Sequence, residues 1–88
     1  MPHIWEIEDI LLKKLSYWRD LDNTTKNTVY QDILARWARS GRNWTNLDNF
    51  IRNYIDAVIH GFYSHSSSEE GIWEVYAEWC KDMNLGIR

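Results

Sequence analysis

Apolar residues recur every three or four positions along most of the chain, and no proline follows Pro2 to interrupt a helix. This spacing places the apolar side chains on one face of an α-helix. No segment makes a convincing strand. The sequence therefore predicts an all-α protein, and its 88 residues are enough for one small domain with a single core.

Polar breaks divide the chain into four predicted helices, at about residues 4–21, 25–40, 45–63 and 68–84. The connections between them are short, and short connections favour antiparallel neighbours. We therefore expect residues 1–88 to form one small four-helix bundle, antiparallel with short loops. Orthogonal packing is the alternative, because the apolar faces of the helices differ in width.

Residues that start and stop helices lie at these breaks. The candidate N-caps are Asp22, Asn23 or Thr24 for the second helix and Thr45 for the third. Ser67 and Glu70 have the spacing of a capping box ahead of the fourth helix. Gly41 follows the second helix, at the position where a left-handed residue often ends a helix.

The apolar spacing also predicts which side chains face the core. The first helix is expected to bury Ile4, Ile7, Leu11, Leu15 and Trp18. The fourth is expected to bury Ile72, Val75, Tyr76, Trp79 and Met83, with Trp73 and Cys80 at the edge of that face. Apolar residues cover more than half the circumference of the third helix, so we expect it to be the most buried.

The residue types that carry catalysis or bind metals are sparse and poorly spaced. His60 and His65 are five residues apart, which is not the ligand spacing of a helix, and no glycine-rich phosphate loop occurs. Cys80 belongs to an apolar helix face, where a buried and inert thiol is expected. The sequence therefore predicts a non-enzymatic protein with no metal and no cofactor.

Three further features bear on the compartment. Residues 1–15 lack the basic start and uninterrupted apolar run of a signal peptide. No stretch approaches the about 18 apolar residues that a membrane span needs. A single cysteine fits a reducing compartment. We expect a cytoplasmic protein that does not insert into a membrane.

The feature that most favours binding is a row of acids in the fourth helix. Glu70, Glu74, Glu78 and Asp82 recur every four residues and so share one helix face. A solvated outer face is the simplest interpretation, and a docking surface for a basic partner is the functional one. With Trp73 as an aromatic anchor, these residues are the predicted partner-binding site.

The acidic face suggests a class of function. A row of carboxylates on a rigid helix can mimic the phosphates of a nucleic-acid duplex, and the net charge of the chain is −3. Immunity proteins of nuclease toxins and phage inhibitors of host defence complexes are often small acidic domains, an analogy at the level of class. We therefore expect an inhibitor that blocks a basic protein partner, such as a nuclease or a nucleic-acid-binding complex.

Nucleic-acid binding through the end of the second helix is one alternative. Basic and aromatic residues alternate there, as Arg36, Arg39 and Arg42 beside Trp37 and Trp44. Structural roles compete with this interpretation, because Asp32 precedes Arg36 by four residues and cations complement the dipole at a helix C-terminus. The wide apolar face of the third helix also argues against a helix-turn-helix.

A homo-oligomeric helical scaffold is the other alternative. Trp5 and Leu12 lie off the main apolar face of the first helix, and extra apolar surface is typical of an interface. Charge is also divided along the chain: residues 1–44 carry seven basic and six acidic residues, and residues 45–88 carry three and seven. Under this alternative we expect a homodimer with Trp5 and Leu12 at the contact.

Overall fold

The computed structural model describes residues 2–40 and 46–87, with side chains as far as residue 83. The α-helices of these ranges are α1 (Ile4–Lys14), α2 (Asn23–Ser40), α3 (Leu47–Phe62) and α4 (Glu69–Ile87). Short 3-10 turns lie at Trp18–Asp20 and Tyr63–His65, and no strand occurs within the described ranges. The prediction of a small all-α four-helix bundle is confirmed.

The first helix ends earlier than predicted. α1 stops at Lys14 because Leu15 adopts an extended backbone conformation, with φ −125° and ψ 105°. The chain then makes its first 3-10 turn, and the side chains of Leu15, Trp18 and Leu21 remain buried. The spacing therefore predicted the burial of Leu15 and Trp18 correctly and the helix end wrongly, since a 3-10 turn also repeats about every three residues.

Asp22 caps α2, as one of the three candidates predicted for that role. Its carboxylate accepts a hydrogen bond from the backbone N–H of Thr25 at 2.7 Å. This bond holds the pKa of the Asp22 carboxyl below its ordinary value. Because the cap lies at Asp22, α2 begins at Asn23, slightly earlier than the apolar spacing predicted.

Asn46 caps α3. Its side-chain oxygen accepts a hydrogen bond from the backbone N–H of Asn49 at 2.8 Å, and its own backbone is extended, as an N-cap requires. Thr45, the residue predicted for this role, lies outside the described residues, as does Gly41 in the predicted turn.

Ser68 caps α4, so the capping box predicted for Ser67 and Glu70 is wrong. The Ser68 hydroxyl accepts a hydrogen bond from the backbone N–H of Gly71 at 3.1 Å. This places the cap one residue later than predicted. The helix also extends to Ile87, beyond its predicted end near residue 84.

Two tryptophans lie at the centre of the core. Trp18 and Trp73 have no exposed surface, and their rings meet edge to face with centroids 5.3 Å apart. The other fully buried large side chains are Ile7, Leu11, Val29, Ile33 and Ile51. Edge-to-face packing is favoured by the quadrupoles of aromatic rings. Ile4 is 39% exposed, so its predicted burial is wrong.

α4 buries Ile72 and Tyr76 as predicted, but the rest of its core-facing side differs from the prediction. Trp73 and Cys80, expected at the edge of that face, are buried, whereas Trp79 and Met83 are 43% and 47% exposed. The Trp73 indole fills the centre of the bundle, and its Nε1–H donates a hydrogen bond to the Tyr17 hydroxyl at 2.9 Å. A central indole with a satisfied N–H therefore sets the rotation of α4.

Both central indoles are satisfied in the same way. Each donates to a tyrosine hydroxyl that donates in turn to a carboxylate, in the series Trp73–Tyr17–Glu69 and Trp18–Tyr30–Glu8. Burial raises the pKa of Tyr30 to about 12 and raises that of Tyr17 above its ordinary value. Both hydroxyls thus remain protonated donors near neutral pH.

Candidate protein-binding surface

The four acids of the predicted row lie on the outer face of α4. Glu70, Glu74, Glu78 and Asp82 are all exposed, and we call them the acidic row. The buried residues of the same helix are Ile72, Trp73, Tyr76, Ala77 and Cys80. Because α4 packs against both α2 and α3, the core holds the row in a defined position.

Few ion pairs offset the negative charge of the acidic row. Lys81 pairs with Glu78 at 3.7 Å, and no other ion pair in the described part of the chain includes a member of the row. The Glu78 side chain is 72% exposed, and an exposed pair of this kind contributes little. The outer face of α4 is therefore a surface of predominantly one sign.

Trp73 cannot anchor a partner beside the row, because it has no exposed surface. This part of the predicted site is wrong. Exposed apolar surface is provided instead by Trp79 and Met83. Asp82 follows Trp79 by three residues, so the two are neighbours on the helix surface. The apolar spacing missed this exposure because it assigned both Trp79 and Met83 to the core.

Asp32 is an acid with a very different setting. Its Oδ2 accepts hydrogen bonds from the hydroxyls of Tyr54 and Tyr76 at 2.7 and 2.5 Å, and from Arg36 Nε at 3.0 Å. These residues belong to α2, α3 and α4, so one carboxylate joins three helices. Burial raises the pKa of Tyr54 and of Tyr76 above the ordinary tyrosine value, which keeps both hydroxyls as donors to Asp32.

Two of the three arginines of the predicted basic patch lie in the described part of the chain, and they differ in their surroundings. The predicted pair between Arg36 and Asp32 is confirmed. Arg39 is exposed in the last turn of α2, where a cation complements the helix dipole. Within the described ranges, no ion pair includes Arg39. Arg42 and Trp44 lie outside those ranges.

Two adjacent concavities lie beside Arg36, and we call them together the α2–α3 groove. The first, of about 350 Å³, is lined by Arg36, Arg39, Ser40, Phe50, Asn53, Tyr54 and Ala57. The second, of about 210 Å³, is lined by Arg36, Tyr54, Ala57, Val58, Phe62, Tyr76 and Trp79. The two concavities share Arg36, Tyr54 and Ala57. The groove has a cationic end in the first concavity, near Arg39, and an aromatic end in the second, near Trp79.

The predicted oligomer contact is only partly exposed. Trp5 is 66% exposed and lies parallel to the His3 ring, with centroids 6.3 Å apart and an angle of 9° between the planes. Leu12 is half-buried and packs against the core. The two residues therefore do not form one exposed apolar spot, and Trp5 carries most of the free apolar surface.

The groups that could carry other chemistry are few. Within the described ranges, no cluster of three or more His, Cys, Asp or Glu side chains is arranged to hold a metal. Cys80 is buried, and burial raises the pKa of its thiol, which opposes formation of the reactive thiolate. No helix in the described ranges combines the length and apolar character needed to cross a membrane.

Comparisons with protein-family models, with curated proteins and with solved structures find no match for this chain.

Proposed function

We propose that this chain is a small non-enzymatic protein that uses the acidic row to bind and block a protein partner with a basic surface. The observation that carries the proposal is the exposure of all four carboxylates on one face of α4. Lys81 is the only cation paired with this row in the described part of the chain.

The energetics of α4 support a role beyond folding. Each like-charge neighbour at i, i+4 costs about 0.2–0.5 kcal/mol in an isolated helix, and opposite charges at that spacing stabilise it by a similar amount. An outer face needed only for solubility would gain stability from mixed charges. A face of one sign speeds association with an oppositely charged partner and disfavours partners of the same sign.

Apolar surface beside the row supplies the second part of an interface. Trp79 and Met83 are exposed there, and tryptophan is enriched among the residues that contribute most to binding energy. Proteins that bind phosphates carry basic surfaces, so nucleases and nucleic-acid-binding complexes are the proposed targets. An immunity-type or anti-defence inhibitor acting in the cytoplasm is the biological role that we propose.

The proposal is tested by reversing charge on the row and elsewhere. Immobilised wild-type chain, a Glu74→Lys/Glu78→Lys variant and an Asp20→Lys/Asp56→Lys variant are incubated with lysate of the native host. All four positions are exposed and both variants change net charge equally. Circular dichroism confirms that each remains helical. Captured proteins are quantified by mass spectrometry at low and high salt.

We expect a basic protein that wild type and the Asp20/Asp56 variant capture and that the Glu74/Glu78 variant loses. The purified partner should cleave or bind nucleic acid, and wild-type chain should inhibit that activity. Loss of the partner from both variants equally would indicate a net-charge effect. Unchanged capture and inhibition by the Glu74/Glu78 variant would show that the acidic row is not the site.

Nucleic-acid binding through Arg36 and Arg39 is the competing proposal, and the exposure of Arg39 favours it. An electrophoretic shift with duplex and single-stranded probes tests it, since phosphate contacts weaken steeply as salt rises. A shift that Arg39→Ala abolishes would support nucleic-acid binding over the acidic-row proposal.

A further inference from the structure

Trp5 exposes an indole that the fold of a single chain does not cover. Its side chain is 66% exposed, although a tryptophan buries roughly 150–250 Å² when it is enclosed. The parallel ring of His3 limits the orientations of the indole. An aromatic side chain that is already held in place loses less conformational entropy when it enters a pocket.

The aromatic end of the α2–α3 groove provides a pocket of matching chemistry. Phe62 and Trp79 pack edge to face there, with ring centroids 5.8 Å apart, and together form one apolar wall. Ala57 lines both halves of the groove and is exposed, so its short side chain leaves the surface beside this wall open. An indole placed there would exchange water for aromatic contacts.

Charge favours the same pairing. The five-residue segment from Trp5 to Asp9 carries three acids and no base. The groove has Arg39 at its cationic end, and no ion pair of the described residues includes Arg39. If Trp5 of another molecule enters the aromatic end, acids of its α1, among which Asp9 is paired with Lys13, approach the surface that contains Arg39.

We propose that Trp5 of one copy of this chain inserts into the α2–α3 groove of a second copy, which inserts its own Trp5 in return. In a two-fold dimer each Trp5 side chain, the knob of its own copy, fills the groove of the other copy, so both grooves are occupied at once. The contact involves two small apolar surfaces, so the dimer is weak and reversible. Both proposals place Trp79 in a contact, but their tests are separate, because neither Trp5 nor Ala57 belongs to α4.

Sedimentation equilibrium of the full chain tests the dimer, over roughly 10 μM to 1 mM, which covers interfaces of this size. Trp5→Ala removes the knob at an exposed position, and Ala57→Glu obstructs the groove with a bulky anion. Ala38→Glu makes the same substitution at an exposed α2 position outside the groove and serves as the control. Thermal unfolding confirms that each variant folds.

We expect wild type and Ala38→Glu to approach the mass of a dimer, and Trp5→Ala and Ala57→Glu to associate at least tenfold more weakly. An equimolar mixture of the two weakened variants should form a heterodimer, since one knob and one groove remain intact. A wild-type chain that stays monomeric at the highest concentration would overturn the proposal. Association that persists in Trp5→Ala would also overturn it, and either result leaves the acidic-row proposal unaffected.

Discussion

The polar groups on the two faces of α4 have different surroundings. On the inner face, Tyr76 donates to Asp32, and the Trp73 indole donates to Tyr17. On the outer face, the acidic row has Lys81 as its only ion-pair partner in the described part of the chain. The fold therefore depends on the polar groups of the inner face, whereas residues of the outer face can change without loss of a partner in the core.

The contrast shows that the role of an acidic residue depends on its surroundings and not on its charge alone. Asp32 lies between helices, and removing it would leave buried hydroxyls without an acceptor. Members of the acidic row are in water, where loss of a carboxylate leaves nothing unsatisfied. Substitutions on the two faces should consequently differ in their effects on stability.

The largest effect is expected from Trp73→Ala on the inner face. Removing a fully buried indole leaves a cavity next to Trp18, so the free energy of unfolding should fall by about 3–5 kcal/mol. Trp79→Ala, at a 43% exposed position of the same helix, should cost about 1 kcal/mol or less. Urea denaturation measures both, and equal losses would contradict the assignment of the inner face.

Asp32→Ala should be the next most damaging change. Two tyrosine hydroxyls lose their acceptor, and each unsatisfied buried group costs about 1–3 kcal/mol, so we expect a loss of roughly 2–4 kcal/mol. Asp56→Ala, an exposed acid on α3, is the control and should be nearly neutral. A neutral Asp32→Ala variant would show that this carboxylate does not join the helices.

High pH should weaken the inner face through its tyrosines. Burial raises the pKa of Tyr30 to about 12, so above pH about 10 the unfolded chain releases its proton first. The contribution of Tyr30 to the free energy of unfolding is therefore fully present below pH about 10 and is lost as the pH rises towards about 12. After solvent screening, we expect this loss to be about 1–2 kcal/mol. Urea denaturation at several pH values, with Tyr30→Phe as the comparison, tests this. Identical pH profiles for the two proteins would contradict it.

Replacing glycines by alanine should change the free energy of unfolding by a smaller amount, and the direction should depend on the position. A Cβ at Gly61 meets no atom within 4 Å, so Gly61→Ala should stabilise α3 by about 0.5–1 kcal/mol. A Cβ at Gly71, in the first turn of α4, would collide with the Ser66 side chain, which removes that gain. Thermal unfolding should rank Gly61→Ala above wild type and Gly71→Ala below Gly61→Ala. The reverse order would show that the start of α4 has more room than the Ser66 contact indicates.

Local patterns in the sequence predicted what depends on neighbours along one helix. The four helices, the exposure of the acidic row and the pair between Asp32 and Arg36 all follow from spacings of three or four residues. The end of α1 did not follow, because the 3-10 turn continues the same apolar spacing as the helix.

Non-local contacts explain what the sequence missed. Tyr54 and Tyr76 are 22 and 44 residues from Asp32 along the chain, so no local spacing relates them. The rotation of α4 was also missed, because the apolar spacing placed Trp79 on the core face and Trp73 at its edge. Packing against Trp18 decides between them, and that contact depends on how the helices assemble.

The absence of a structural role for the acidic row is tested most directly by urea denaturation of a Glu74→Gln/Glu78→Gln/Asp82→Asn variant. Neutralisation relieves repulsion between like charges and, among the ion pairs of the described residues, removes only the weak Lys81–Glu78 pair. We expect a free energy of unfolding within about 0.5 kcal/mol of wild type, or slightly higher. A loss of more than about 1 kcal/mol would show that the row is needed for folding and would remove the main reason to assign it to binding.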